Sequence, residues 1–290
     1  MYKFGNRKNN INIDNYSDSV VLNALDQDQI NDFPKNIWIY WDGEIPTLVK
    51  ECIDRVKTLN PNYSVNILNS ENISLYIKSD YTLQKKITPQ HKADLIRLEL
   101  MYIYGGIWLD ASIILYENLD WIENLIHKNK TKAFAYYREG NTTVKDFPVI
   151  ENWLLASHKN NLFFKHWHDE FLLAIKMGAK KYNEKIGFEI ENSNEYFQKI
   201  GNINYLLSYV VCQKIMRIDY PSITLINCDK NALYYQVSNR WMKEKVLIDL
   251  ALNYKPEVPP KLIKICRKER LILNKYYLKE KYFKDSLLNI

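Results

Sequence analysis

The sequence predicts an α/β fold in which helices flank a mostly parallel central sheet. The first observation is that short β-branched and aromatic runs alternate with amphipathic helical segments in the N-terminal half. The second is the run NIWIYW at 36–41, which follows Pro34 and is typical of a buried strand. The third is Asp110, which ends a short apolar strand at 107–109. Open α/β sheets bind ligands at the carboxyl ends of their strands, so this aspartate marks the expected site.

The predicted elements alternate as such a sheet requires. Loops at 42–46 and 60–62 separate the first strand, the following helix and the second strand. The clearest helix begins at Thr88-Pro89, a hydroxyl N-cap with proline in the first turn, and stops at Gly105-Gly106. In order, we predict strand 36–41, helix 47–59, strand 63–68, helix 72–77, helix 88–104, strand 107–109, helix 162–175, helix 205–216 and strand 222–226.

The two ends of the chain differ from this middle part. Residues 1–16 are polar and rich in asparagine, and 17–30 predict a short amphipathic helix capped by Ser17 or Asp18. No internal repeat or long linker interrupts the remaining sequence. We therefore divide the chain into an N-terminal helical extension (1–33), a main domain (34–254) and a basic amphipathic tail (255–290).

The positive charge is concentrated in that tail. The chain of 290 residues has a net charge of +6, and residues 255–290 hold 10 of its 40 Lys and Arg but only 4 of its 34 Asp and Glu. The remainder is neutral, which makes nucleic-acid binding the weakest hypothesis. Two interpretations of the tail stay open. It is either a basic amphipathic helix in peripheral contact with an anionic membrane, or a terminal helix packed on the body with a solvated basic face.

Cysteine spacing and apolar run length bear on the compartment. The four cysteines are far apart and form no C-x-x-C pair, so neither a zinc site nor a disulfide framework is indicated. Polar sequence stands where a signal peptide needs an apolar stretch, and no run approaches the length of a membrane span. We expect a cytoplasmic protein, held at most to the inner face of the cell membrane.

A charged pair lies on the helix before Asp110. Asp94 and Arg97 are three residues apart and therefore share a face of a helix whose other central positions are mostly apolar. Buried charges need partners, which are either each other, in a structural ion pair, or a ligand. Asp110, which ends a core strand just after a glycine pair, favours the ligand.

The segment that carries these residues resembles a known family. HKADLIR at 91–97, followed by YGGIWLDAS at 104–112, is similar to the sugar-binding DXD region of glycosyltransferases, and most similar to the capsular polysaccharide synthesis group. That group is related to the yeast mannosyltransferases that initiate outer chains and, more distantly, to the glucosylating toxins. Segments 34–43 and 150–157 resemble the same family, so the resemblance covers roughly residues 34 to 165.

The resemblance implies a GT-A fold, a Rossmann-like form of the predicted architecture with a helical C-terminal extension. It also implies a nucleotide-sugar donor, UDP- or GDP-linked, and a catalytic centre made of Asp94, Arg97 and Asp110. Asp94 and Arg97 would contact the donor sugar, and Asp110 the ribose and metal side. Tyr40 or Trp41 would stack on the base.

Further candidates come from the same motifs. His91 shares a face with Asp94 and either reaches a phosphate or sugar or is a plain helix-start histidine. Asn152 and His158 flank a segment that edges the active site in the family, and we place them on the acceptor side, although either could touch the donor. The pair at 166 and 168 points to different faces of its predicted helix, which disfavours metal chelation.

Ser112 departs from the family pattern. Asp110 and Ser112 occupy the positions predicted to bind a divalent metal, Mn²⁺ or Mg²⁺, but a hydroxyl is a poor ligand for these ions. Three outcomes are open: Asp110 binds the metal alone with diphosphate and water, a distant carboxylate such as Asp229 helps, or catalysis uses no metal. A loop aspartate like Asp229 is more often a solvated turn former.

The leading hypothesis is a retaining hexosyltransferase of surface-polysaccharide synthesis. Its acceptor would be a polysaccharide or a lipid-linked oligosaccharide. Such an enzyme must anchor sugar hydroxyls and stabilise the departing diphosphate with positive charge. The alternatives are an effector that glycosylates a protein through the same donor site, and a non-catalytic carbohydrate-binding protein with a degenerate site, which Ser112 motivates.

Overall fold

The computed structural model describes residues 19–26, 32–79 and 87–290. Its strands are β1 (Ser19–Leu22), β2 (Asn36–Tyr40), β3 (Ser64–Leu68), β4 (Gly106–Leu109), β5 (Ile113–Leu115), β6 (Ala133–Arg138), β7 (Val149–Ser157), β8 (Ile223–Asn227) and β9 (Leu262–Lys264). Its α-helices are α1 (Thr47–Leu59), α2 (Pro89–Ile103), α3 (Asp120–Lys128), α4 (Leu162–Met177), α5 (Ala179–Glu189), α6 (Asn194–Phe197), α7 (Leu207–Asp219), α8 (Tyr234–Ser238), α9 (Lys243–Leu247) and α10 (Arg267–Leu278).

The centre of the molecule is a seven-stranded sheet in the order β1-β8-β6-β7-β4-β2-β3. Strands β2, β3, β4, β6 and β8 run in one direction, whereas β7 and β1 are antiparallel to their neighbours. In the pair β2–β4, Trp38 lies opposite Trp108, so both strands end at the same edge. The predicted α/β architecture with a mostly parallel sheet is confirmed.

Helices cover both faces of this sheet, as the strand sequences require. Ile37 and Ile39 pack in one apolar layer with α1 and α3, while Trp38 between them packs in the other layer with α2, α4 and α7. Side chains alternate across a strand, and each of these three is buried. A strand buried on both faces reads as a continuous apolar run, which is why 36–41 was recognisable.

The junction between α2 and β4 follows from its capping residues. The Thr88 hydroxyl accepts a hydrogen bond from the backbone N–H of His91 at 3.1 Å, and Pro89 is the first helical residue. At the other end, Gly105 has a φ of +64°, and a Cβ there would lie 2.5 Å from the backbone oxygen of Ser157. Only glycine satisfies both conditions. The predicted start and stop of this helix are confirmed, and the chain passes directly into β4, which Asp110 follows.

The prediction of an N-terminal helix over 17–30 is wrong in its described part. Residues Ser19–Leu22 form a strand that pairs antiparallel with β8. Val20 and Leu22 are partly buried against the core and alternate with more exposed neighbours, which is the two-residue period of a strand. Pairing with the edge of β8 also satisfies backbone groups that a short helix would leave to water. Ser17, Asp18 and residues 27–31 lie outside the described residues.

The helix predicted at 72–77 is also shorter than expected. A single 3₁₀ turn, Ile73–Leu75, stands in its place. The Asn72 side chain accepts a hydrogen bond from the backbone N–H of Asn69 at 2.9 Å and donates one to the backbone oxygen of Ile67 at 3.0 Å. Asparagine binds the local backbone in this way in turns, and that competes with helix formation.

The tail packs on the body of the protein. Strand β9 pairs antiparallel with β5, and α10 contacts α1 and α9. Ile263, Ile265, Leu273 and Leu287 are fully buried in one cluster with Leu48 of α1. This arrangement favours the second interpretation of the tail, because several of its apolar side chains are already covered by protein. Across the three described ranges, no helix combines the length and apolar character needed to cross a membrane. The domain boundaries after residues 33 and 254 stay predictions.

Candidate active site

Most of the residues predicted for the site line one cavity. It has a volume of about 690 Å³ and lies where β2 and β4 end. The predicted residues in its lining are Tyr40, Trp41, Asp94, Arg97, Asp110, Ser112 and Asn152. His91 and His158 lie outside that lining. The cavity therefore lies at the carboxyl edge of the sheet, where the sequence predicts a site.

Arg97 is the centre of a buried network in this cavity. Its Nη2 lies 3.3 Å from Asp94 Oδ1 and 3.4 Å from Asp110 Oδ1. Its Nη1 donates to the backbone oxygen and to the side-chain Oδ1 of Asn152, at 2.5 and 2.8 Å. Asn152 donates from Nδ2 to Asp94 Oδ1 at 3.0 Å. One guanidinium thus holds together groups from α2, from the end of β4 and from β7.

Both members of the helical pair are almost inaccessible to solvent. Asp94 is 3% exposed and Arg97 is 5% exposed. The structural ion pair that the sequence allowed is therefore present. The same two side chains line the cavity, so a contact with a ligand is compatible with the pair.

The two carboxylates of the network have opposite electrostatic environments. Burial raises the pKa of Asp94, although the charge of Arg97 opposes this effect. Burial alone would also raise the pKa of Asp110, but the charges of Lys264 and Arg97 outweigh it and hold that pKa below its ordinary value. Asp110 is thus firmly ionised, whereas burial disfavours the charged form of Asp94.

Part of the cavity wall comes from the tail. Lys264 at the end of β9, and Arg267 and Arg270 in the first turns of α10, all line it. Lys264 Nζ lies 2.5 Å from Asp110 Oδ2. The Arg270 guanidinium carbon lies 4.8 Å from the centre of the Trp41 ring.

The family follows from the matched region. Residues 3–247 match the family model described as capsular polysaccharide synthesis protein. The chain belongs to this family. The resemblance seen in 91–97 and 104–112 is confirmed, and the matched region contains every residue predicted for the site. The cations at 264, 267 and 270 lie beyond its last residue.

Curated relatives and solved structures similar to the chain include named glycosyltransferases. The chain is 27% identical over 157 residues to the O-glycosyltransferase braB of Annulohypoxylon truncatum, which covers 47% of the chain and 37% of that protein. It is 27% identical over 159 residues to the glycosyltransferase afumC of Aspergillus fumigatus, which covers 47% of the chain and 39% of that protein. The chain therefore spans about two fifths of the length of these relatives.

Among solved structures, the chain is similar to the galactosyltransferase LgtC in complex with donor and acceptor sugar analogs, with a TM-score of 0.40, 11% identity and coverage of 80% of the chain and 87% of that structure. It is also similar to the UDP-bound glycosyltransferase domain from the YGT toxin, with a TM-score of 0.42, 9% identity and coverage of 84% and 97%.

The residues at the predicted metal positions do not fit a divalent cation. Asp110 Oδ2 is bound by Lys264, and Asp110 Oδ1 accepts a hydrogen bond from Trp108 Nε1 at 3.2 Å. The Ser112 hydroxyl is buried and donates to the backbone oxygen of Ile265 at 3.0 Å. Within the described part of the chain, no three His, Cys, Asp or Glu side chains are grouped to hold a metal. Because Mn²⁺ and Mg²⁺ need several oxygen ligands, one shared carboxylate beside a lysine is a poor site for them.

Asp229, the distant carboxylate considered from the sequence, is committed elsewhere. It forms an ion pair with Arg138 and accepts a hydrogen bond from the backbone N–H of Gly140 at 2.8 Å. Arg138 lines the cavity, but Asp229 does not. It is therefore neither a metal ligand nor a solvated turn residue: it positions an arginine.

His158 is separated from the cavity by the topology of the sheet. Strand β7 runs antiparallel to β4, and Ser157 lies opposite Gly106, at the end of β4 remote from Asp110. His158 follows there and packs edge-on against Phe33. An acceptor-side role for His158 in this cavity is therefore not supported. His91, in the first turn of α2, packs edge-on against Phe171 of α4.

Glu151 lines the cavity and is not among the residues predicted for the site. Its pairing partner in β6 is Tyr136, whereas the neighbouring Ala135 pairs with Leu155, so residues 152–154 bulge from the ladder between β6 and β7. Bulges redirect side chains near active sites, and Glu151 and Asn152 both line the cavity. Glu151 is buried and accepts a hydrogen bond from the Tyr209 hydroxyl at 2.7 Å. The residue stood in the family-like segment 150–157, but no sequence signal gives the bulge.

Glu151 gives a prediction about stability and pH. Burial raises its pKa above the ordinary value of 4.5, against the opposing effect of the Tyr209 hydrogen bond. A raised folded-state pKa means that the stabilising contribution is present below about pH 4.5 and is lost as the pH rises through the folded-state pKa. Glu151→Gln removes this loss and keeps an acceptor for Tyr209. We expect the variant to gain stability relative to wild type when the pH is raised from 4 to 8, because only the wild type loses this contribution above about pH 4.5.

Urea unfolding of both proteins at the two pH values measures this difference. Comparing the variant with wild type at the same pH removes the contributions of titrating groups that do not interact with Glu151. A difference in unfolding free energy that does not change with pH would contradict the assignment.

Proposed function

We propose that the chain transfers a hexose from a UDP- or GDP-linked donor to a hydroxyl of a polysaccharide or lipid-linked oligosaccharide, with retention of the anomeric configuration. The observation that carries the proposal is the network of Asp94, Arg97, Asp110 and Asn152 at the carboxyl edge of the sheet, which lines one cavity together with cationic side chains of the tail. Membership of the capsular polysaccharide synthesis family supports it, since the matched region contains this network.

The network suits the recognition of a donor sugar. Asp94 and Asn152 offer oxygens and an amide to sugar hydroxyls, and Arg97 fixes their orientation. Tyr40 and Trp41, at the end of β2, provide aromatic surface for the base. A cavity of about 690 Å³ falls within the usual range for small-molecule sites.

The transfer itself breaks one bond and forms another. The bond between the anomeric carbon and the diphosphate oxygen breaks, and its electron pair stays on that oxygen. The acceptor hydroxyl oxygen forms the new bond to the anomeric carbon. Its proton passes to the departing diphosphate oxygen. The cationic side chains of the tail stabilise the negative charge that develops there.

The acceptor side is assigned to the rim of the cavity. Tyr205 and Trp241 line it and are 59% and 45% exposed. Exposed aromatic rings beside a polar cavity are suited to stack on sugar rings. In this proposal Asn152 belongs to the donor side, because it binds Asp94 and Arg97. The enzyme would act in the cytoplasm, at the inner membrane face where the acceptor is lipid-linked.

A donor panel tests the proposal. The full chain is incubated with UDP- and GDP-linked hexoses, and release of UDP or GDP is measured together with the melting temperature. The true donor at 100 times its Kd should stabilise the protein by about 2.7 kcal/mol, a rise in Tm of roughly 5 °C. The product of transfer to a sugar acceptor should keep the donor's anomeric configuration by NMR.

The other outcomes distinguish the alternatives. Stabilisation without release of nucleoside diphosphate would support a non-catalytic carbohydrate-binding protein. If no donor is hydrolysed and none raises the melting temperature, the proposed function is wrong.

A further inference from the structure

Three cations of the tail line the cavity of the predicted donor site. Lys264, Arg267 and Arg270 line the cavity, and β9 and α10 are fixed in place by the buried cluster that joins them to β5 and α1. The tail is thus a built part of the cavity wall. Three of the ten basic residues of the tail therefore line the cavity, whereas the sequence predicts a basic surface or a membrane contact for them.

The residues expected to bind a metal, Asp110 and Ser112, are instead hydrogen-bonded to two of these cations. Lys264 is bound to Asp110, and Arg270 donates from Nη1 to the Ser112 hydroxyl at 3.3 Å. Ser112 is 3% exposed and donates its own proton to Ile265. Asp110 and Ser112 therefore each have a tail cation as a hydrogen-bonding partner.

Both cations keep hydrogen-bonding capacity for an anion. A lysine ammonium has three N–H donors, and Asp110 accepts one from Lys264. An arginine has five donors, and Ser112 accepts from Arg270. Among the described residues, no carboxylate oxygen lies within 4.0 Å of the Arg270 guanidinium, so its charge has no ion-pair partner. The Arg270 side chain is only partly exposed, and this burial lowers its pKa, while the charge of Asp110 opposes the effect.

We propose that Lys264 and Arg270 bind the diphosphate of the donor directly and take the place of a divalent metal in stabilising it as it departs. The inference rests on the proposed function and adds to it the residues that hold the leaving group. Arginine matches phosphate oxygens with paired N–H groups, and lysine binds them as a point charge next to Asp110. Ser112 then contributes to diphosphate binding. Its hydroxyl orients Arg270, whereas a carboxylate at this position would neutralise the charge of Arg270.

The test is binding of UDP and GDP to the full chain by calorimetry, in EDTA and then in Mn²⁺ or Mg²⁺. We expect wild-type affinity for the preferred nucleotide to be the same in both conditions within about threefold, and to fall with added salt. Lys264→Gln and Arg270→Gln should each weaken binding by about 10- to 100-fold. Arg270→Lys, which keeps the charge but not the paired donors, should fall between wild type and Arg270→Gln.

Lys268→Gln is the matched control. Lys268 lies on the same helix, is exposed and does not line the cavity, so its removal changes the net charge of the tail equally without affecting the site. Circular dichroism melts show whether each variant is folded. Arg270 lies on a helix surface, so its variant tests the proposal even if Lys264→Gln destabilises the strand.

The outcomes separate this inference from the function it rests on. Binding and turnover that require Mn²⁺ or Mg²⁺ and vanish in EDTA would overturn the inference and leave the glycosyltransferase proposal standing. Equal weakening of nucleotide binding by Lys268→Gln and Arg270→Gln would also overturn the inference, because the weakening would then be an effect of net charge alone. If wild type binds neither nucleotide and hydrolyses no donor in any condition, the proposed function itself fails.

Discussion

Changing Asp110 to asparagine is expected to lower the kcat for donor cleavage by about 100-fold, because Asp110 holds Lys264 and Arg97 in position and misplaced groups in a site cost about this much. Asparagine keeps the size of the side chain but removes the charge that faces Lys264 on one oxygen and Arg97 on the other. Because the pKa of Asp110 is held below its ordinary value, this charge is present at any working pH near neutrality. The measurement is release of UDP or GDP under saturating donor, with kcat and KM determined separately.

Asp54→Asn is the matched control for that variant. Asp54 forms an exposed ion pair with Lys57 on α1, at 3.3 Å, and does not line the cavity. Exposed pairs of this kind contribute little to stability, so this variant should retain wild-type turnover. Near-wild-type kcat in folded Asp110→Asn would refute the assignment of the site, and so would an equal loss in both variants.

Part of the candidate site could be predicted because it depends on residues that lie close together in the sequence. Asp94 and Arg97 share a face through helical spacing, and Gly105 ends that helix so that Asp110 emerges from the next strand. Each step uses residues that are near neighbours in sequence. The parallel order of β2 and β4 then brings Tyr40 and Trp41 to the same edge.

The other half depends on contacts between distant segments. Ser112 meets Ile265 and Arg270 only because β9 pairs with β5, and nothing in either short strand specifies that pairing. The same limit hid the bulge in β7 that directs Glu151 into the cavity. Register and bulges are set by the whole sheet, so a sequence window that contains one strand does not show them.

The N-terminal strand was missed for a related reason. Over four residues, SVVL fits a helical turn as well as a strand, and its flanking residues suggested a cap. What decides is the free edge of β8, which offers backbone partners and a partly buried face to Val20 and Leu22. Tertiary context, rather than local preference, determines the structure of so short a segment.

Arg97 gives the largest expected effect on stability. Removing it by Arg97→Met leaves Asp94 and the carbonyl oxygens of Asn152 buried without their cation. Breaking a buried pair in this way typically costs about 3–5 kcal/mol of unfolding free energy, because one charge stays behind uncompensated. Methionine is chosen because it fills similar space, so the loss reports charge and hydrogen bonding rather than a cavity.

The double variant Asp94→Asn with Arg97→Met isolates that mechanism. If the cost of Arg97→Met arises from the stranded charge of Asp94, removing that charge should recover about 1–3 kcal/mol, so the double variant is more stable than Arg97→Met alone. Urea unfolding of wild type, both single variants and the double variant closes the thermodynamic cycle. Additive losses would show that Arg97 stabilises the fold mainly through Asn152 and the contact with Trp108, where its guanidinium carbon lies 5.0 Å from the ring centre. The main role of the network would then be to connect α2 with β7, and the charge of Asp94 would be available to bind the donor sugar.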